Sequence, residues 1–107
     1  KLETLSLGDN QINDITPLAG LTNMHSLSLV GNEVDDLSPL SGLKSLNWLS
    51  LSGTQVYDLS PLEGLSGLRQ LNLKGCRVLP KVTIARLRKV LPDCRIEQDL
   101  VLKKLEK

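Results

Sequence analysis

Apolar residues fall on a fixed grid over the first three quarters of the chain. Leu2, Leu5, Leu7 and Ile12 open one unit, and Met24, Leu27, Leu29 and Val34 open the next. Leu46, Leu49, Leu51 and Val56 follow, then Leu68, Leu71, Leu73 and Val78, each set 22 positions after the last. Inside a unit the stretch x-L-x-L-x alternates with period two, as a strand with one buried face does. The rest of each unit carries a second signature: Asp14-Ile15-Thr16-Pro17-Leu18, Asp36-Leu37-Ser38-Pro39-Leu40 and Asp58-Leu59-Ser60-Pro61-Leu62. Thr16, Ser38 and Ser60 directly before proline predict an N-cap followed by Pro at the first helical position. Each unit should thus turn through a short 3₁₀ segment on its outer face, ended by Gly20, Gly42 or Gly64. A fixed period of this length means a solenoid, whose units bury their apolar faces only against neighbours.

The position after each strand is Asn10, Asn32, Thr54 and Cys76. An inward amide there can bond backbone groups of adjacent turns that would otherwise be buried unpaired. Thr54 should do part of that work and Cys76 little. The L-x-x-L-x-L-x-x-N-x-I/V opening with the D-[IL]-[ST]-P-L-x-G-L tail resembles the internalin-like subclass of bacterial leucine-rich repeats, over residues 2–79. The resemblance implies an α/β solenoid: a right-handed superhelix with a parallel sheet on the concave face, 3₁₀ turns on the convex face and a C-terminal helical cap. It also implies a non-catalytic module that binds protein through the concave sheet. A bacterial cell-surface or secreted location goes with it, the cytoplasm being the alternative.

The units run 2–23, 24–45, 46–67 and 68–79. After Pro80 the period breaks. Lys81 to Leu91 places Ile84, Leu87 and Leu91, with Val90 beside them, on one helical face. Pro92 stops that helix and Asp93-Cys94-Arg95-Ile96 follows as an extended stub, so 80–96 reads as a cap over the last rung. The L-P-D-C-R-I ending is similar to the terminal segment of several bacterial leucine-rich-repeat proteins. Residues 97–107 form a tail whose Leu100, Val101, Leu102 and Leu105 suit a short helix. The chain opens inside a repeat and reads as a fragment. Its first rung should expose Leu2, Leu5, Leu7, Ile12 and Ile15 and invite self-association.

Leucine fills 25 of 107 positions and Phe none, so the core should be aliphatic and repetitive. The net charge of +1 hides a polarity. Residues 1–67 hold two basic against eight acidic side chains, and residues 68–107 eleven against four. No apolar run approaches the roughly 18 residues of a membrane span. The basic end lacks the interleaved aromatics that stack on bases, so a solvated cap surface is favoured over a nucleic-acid site. Cys76 and Cys94 read as buried free thiols, with a disulfide the alternative. The chain's one histidine, His25, falls at a strand edge, and no spacing of His, Cys and carboxylates suits a metal. Asp14, Asp36 and Asp58 suit local turn capping better than calcium. Serines without a base are not nucleophiles, and nothing calls for a cofactor or a small-molecule substrate.

The polar positions of the strands form rows. Thr4, Ser26, Trp48 and Gln70 make one, and Ser6, Ser28, Ser50 and Asn72 the next. Edges carry Glu3, His25, Asn47 and Arg69 on one side and Gly8, Val30, Ser52 and Lys74 on the other. Trp48 should stand exposed at the middle of this face, where large aromatic side chains act as hot spots. The expected partner-binding set is Trp48, Ser26, Ser28, Ser50, Gln70, His25 and Asn72, with Tyr57 a weaker candidate. Four rungs offer only roughly 300 Å² of flat surface, against about 800 Å² per partner in a standard interface. A structural spacer or regulatory segment of a larger bacterial protein is therefore the competing reading.

Overall fold

The computed structural model describes residues 3–77 and 79–98. Five strands, β1 (Thr4–Ser6), β2 (Ser26–Ser28), β3 (Trp48–Ser50), β4 (Gln70–Asn72) and β5 (Arg95–Glu97), form one parallel sheet in chain order. Leu5, Leu27, Leu49, Leu71 and Ile96 stand opposite one another in register. Backbone bonds continue past the strands at both ends. Leu7, Leu29, Leu51 and Leu73 donate to the Ser28, Ser50, Asn72 and Glu97 carbonyls at 2.8–2.9 Å. His25, Asn47, Arg69 and Arg95 donate in turn to Glu3, His25, Asn47 and Arg69.

Met24, Leu27, Leu29, Leu46, Leu49, Leu51 and Leu71 are wholly buried, while Leu5, Leu7 and Ile12 of the first rung are half-buried. Each fully buried aliphatic side chain contributes about 1.5–3 kcal/mol of transfer free energy, so the middle rungs carry most of the hydrophobic stabilisation. Ile15, in contrast to its expected exposure, is buried beneath the 3₁₀ turn that follows it.

The outer face is built as the Ser/Thr-Pro pattern implies, from 3₁₀ turns Thr16–Gly20, Ser38–Leu40 and Ser60–Leu62. Of the two capping expectations, the aspartates' is met and the hydroxyls' is not. Thr16, Ser38 and Ser60 are the first residues of the turns, and their hydroxyls cap nothing. Instead Asp14, Asp36 and Asp58 each accept the backbone N–H two positions on, at 2.9–3.0 Å. The Thr16 and Ser38 hydroxyls donate to the same carboxylates at 2.7 Å. These bonds hold the three carboxyls below the ordinary aspartate range.

Gly20, Gly42 and Gly64 take no left-handed conformation. The left-handed glycines are Gly31, Gly53 and Gly75, at φ of 71–80°, where the chain turns away from the strand. Asp9 fills the equivalent place in the first unit at φ 60°, and Gln11 is left-handed beside it at 57°. An added Cβ on Gly75 would stand 3.3 Å from the Gly53 nitrogen, so backbone stacking as well as φ selects glycine there.

The cap is a fifth, longer rung. Helix α1 (Lys81–Val90) replaces the 3₁₀ turn, and the predicted stub becomes β5, pairing Gln70 with Arg95 and Asn72 with Glu97. The step from Gln70 to Arg95 is three residues longer than 22, which accommodates the full helix. The predicted boundary at residue 96 therefore cuts a strand that ends at Glu97. Ile84, Leu87 and Leu91 are buried as expected, but Val90 is 39% exposed. At 100° per residue it lies well off the face that the other three share. The Arg86 guanidinium donates to Glu63 at 2.8 Å, tying α1 to the third turn. Tail residues Leu100, Val101, Leu102 and Leu105, and the repeat positions Leu2 and Val78, lie outside the described residues.

Candidate functional site

The alternation that turns leucines inward turns the intervening residues onto the open face of the sheet. The first row reads Thr4, Ser26, Trp48, Gln70 and Arg95, and the second Ser6, Ser28, Ser50, Asn72 and Glu97. Arg95 and Glu97 are additions to the expected face. Cys94-Arg95-Ile96-Glu97 follows the same in-out alternation as the repeats, but the longer step breaks the 22-residue grid that would have aligned it.

Trp48 lies in the central strand, between Ser26 and Gln70 on neighbouring rungs. It is half-buried rather than fully exposed. Ser26, Ser28, Gln70 and Asn72 are likewise partly accessible, and His25 is exposed. Ser50 departs from expectation: it is 2% exposed and offers a partner nothing directly. Its short side chain lies on the middle strand, in register with Ser28 and Asn72. Asn72 accepts the Lys74 N–H at 3.0 Å, and His25 Nδ1 stands 3.8 Å from a Glu3 oxygen. Tyr57 is 56% exposed, away from these rows.

Behind the sheet, the inward polar ladder is asymmetric. Asn32 is buried; its Oδ1 accepts from the Asn10 and Ile12 nitrogens at 3.0 and 2.9 Å, and its Nδ2 donates to the Leu7 and Leu29 carbonyls. Asn10 is exposed, and its side-chain amide donates to the Leu7 and Gly8 carbonyls of its own turn. The Thr54 hydroxyl donates to Leu51 at 2.7 Å. Cys76 does more than its type suggests, since its thiol donates back to Leu51 at 3.0 Å.

Both cysteines are buried free thiols. Cys94 immediately precedes β5, whereas Cys76 lies four residues beyond the end of β4. The parallel register therefore places them at opposite ends of the strands and rules out the alternative of a bond between them. Burial pushes the Cys94 thiol up, opposed by the nearby Arg69 and Arg88 guanidiniums. A cleft of about 180 Å³ is lined here by Ser66, Leu68, Arg69 and the segment Val90–Cys94. Among the described residues no group of three or more His, Cys, Asp or Glu could hold a metal ion, and no helix is long and apolar enough to cross a membrane.

The family model for leucine rich repeats (2 copies) matches residues 1–42. No curated protein matches the chain in sequence. Among solved structures, internalin C2 of Listeria monocytogenes is 38% identical, with a TM-score of 0.80 over 89% of this chain. The internalin InlF of the same organism is 34% identical, with a TM-score of 0.79 over 90%. A leucine-rich-repeat protein of Leptospira interrogans is 30% identical, with a TM-score of 0.80 over 90%. This chain spans 40%, 27% and 25% of those three chains respectively.

Proposed function

The chain is an internalin-like leucine-rich-repeat domain, and we propose that it is a non-catalytic module binding a protein partner through the concave face of its sheet. The observation that carries this reading is the placement of Trp48. A large aromatic ring stands half-open at the centre of a polar face, with the short side chains of Ser26 and Ser28 on the adjoining rung. Rings held this way give large contact area at low conformational cost.

The size of the face favours a second reading. Five rungs at ~4.8 Å and about five residues across at ~3.3 Å give roughly 400 Å², half of what one partner buries in a standard interface. A spacer or regulatory segment of a larger bacterial protein has no such requirement.

Trp48→Ala decides between them. Affinity capture from the source bacterium or its host with both variants should lose a partner, with a weakening of about 2 kcal/mol or more. Equal recovery of every partner favours the spacer. Because the ring is half-buried, unfolding curves belong beside the capture. Trp48→Ala should destabilise less than Leu49→Ala, whose side chain is wholly buried.

A further inference from the structure

The open face is electrically lopsided, and the lopsidedness is next to Trp48. On the first-rung side the exposed edge carries Glu3 and His25, followed by uncharged Asn47. On the cap side it carries Arg69, then Arg95 in the same row as Trp48 and Gln70. The Arg95 nitrogen donates to the Arg69 carbonyl at 2.8 Å, so the two arginines occupy adjoining rungs. Arg69 also lines the adjoining cleft, with Cys94.

These guanidiniums are little used by the fold. Arg86 is taken by Glu63. The Arg69 guanidinium donates to the Ser66 carbonyl at 3.0 Å and, among the described residues, meets no carboxylate. Among the described residues, Arg88 and Arg95 have neither an ion pair nor a side-chain hydrogen bond. Among the described residues the acidic groups nearby are Asp93, in the cleft lining, and Glu97, at the other end of β5 from Arg69. Lys74 adds a further positive charge on the opposite edge.

We infer that the partner is an acidic protein segment, crossing the strands from Trp48 toward the cap and placing carboxylates on Arg69 and Arg95. This rests on the concave-face reading above and deepens it. Arginine forks suit carboxylates because two N–H groups can meet two oxygens at once. The cleft also extends the flat face beyond its roughly 400 Å², toward the area that recognition needs. Rung spacing sets the partner's pattern. Arg95 lies two rungs from Trp48, roughly 10 Å, which an extended segment covers in roughly three residues. An apolar side chain on Trp48 is thus followed or preceded, about three positions away, by Asp or Glu.

The chain has a single tryptophan, so its fluorescence reports occupancy of the face centre. Short peptides alternating Leu with Glu, Ser or Lys are the probes, titrated at low and high salt. The Leu–Glu peptide should bind about tenfold or more tighter than the Leu–Ser peptide, the Leu–Lys peptide weakest. That preference should collapse at high salt and in Arg69→Ser/Arg95→Ser, whose unfolding curve stays near that of the parent. Equal binding of Leu–Glu and Leu–Ser peptides, or a preference that survives the double substitution, overturns the acidic partner and leaves the concave-face reading standing. Trp48→Ala carries no tryptophan, so its peptide binding is followed by titration calorimetry beside the parent; binding of all peptides unchanged in that variant overturns both. Uptake onto phosphatidylserine vesicles with no response to any peptide overturns the inference too, assigning the arginines to a membrane surface.

Discussion

Asn32 donates from its amide to the carbonyl of Leu7, 25 positions earlier and one rung back, at 2.7 Å. The same side chain accepts the Asn10 and Ile12 N–H groups, so one buried amide closes the turn of its neighbour. Asn32→Ala should cost about 1–3 kcal/mol, because buried backbone groups lose their partner. Asn47→Ala, at an exposed edge, should change stability by less than about 0.5 kcal/mol. Urea unfolding of both variants checks the contrast, and equal losses would mean that the ladder is not what holds adjacent turns.

Leu87 is the buried anchor of α1, 1% exposed over the last full rung. Leu87→Ala should destabilise the domain by about 2–5 kcal/mol, since the cavity opens where strands on one side cannot collapse into it. Arg86→Ala, which breaks an exposed pair with Glu63, should barely move the midpoint. If chemical unfolding shows the reverse order, the helix is held by charge rather than packing.

Two kinds of glycine should respond in opposite directions. Gly75→Ala forces a left-handed Cβ toward the Gly53 backbone and should cost about 1–2 kcal/mol. Gly42 has ordinary φ and nothing within 4 Å of an added Cβ. Gly42→Ala should leave stability unchanged or raise it by about 0.4–1 kcal/mol through a less flexible unfolded chain. Thermal melts of the pair distinguish the two.

Asp14, Asp36 and Asp58 ionise more readily folded than unfolded. The Thr16 hydroxyl is the main cause for Asp14, and the backbone N–H groups of Ser38 and Ser60 are the main causes for the other two. A depressed folded pKa contributes stability that is present above the ordinary aspartate range and lost as pH falls through it toward the folded value. Replacing all three by Asn keeps an acceptor oxygen but removes the titration. The parent should thus lose more stability between neutral pH and about pH 3 than the triple variant does. Parallel losses measured by denaturant midpoint would show that the turns do not contribute to acid sensitivity.

Much of this architecture was legible because the repeat states each element several times. The alternating leucines fixed strand register, and Ser/Thr-Pro marked the outer turns. What failed was local. The aspartates were read correctly as turn caps, but the Ser/Thr before proline also looked like an N-cap, whereas it is the first residue of the 3₁₀ turn. Glycines after the turns looked like helix ends, whereas the strained φ lies at Gly31, Gly53 and Gly75, on the far side of the strand. At the site, periodicity placed Trp48 correctly in the row but not its depth, and it offered Ser50 as accessible where the structure buries it. Arg95 and Glu97 were hidden by three extra residues, since a grid of constant step has no place for a rung of another length.

That longer last rung has a consequence for how the domain can be cut. The third unit, residues 46–67, is bracketed by strands that pair in identical register on both sides. Joining Ser45 to Leu68 brings Ser26 opposite Gln70 and the Asn32 turn against the Cys76 turn, while β5 and α1 travel with their own strand. The excision removes Trp48 and the Glu63 partner of Arg86 but keeps a closed end. A shortened chain that still unfolds cooperatively, yet no longer captures what the parent captures, would make recognition a detachable insert in a scaffold whose reach is set by copy number.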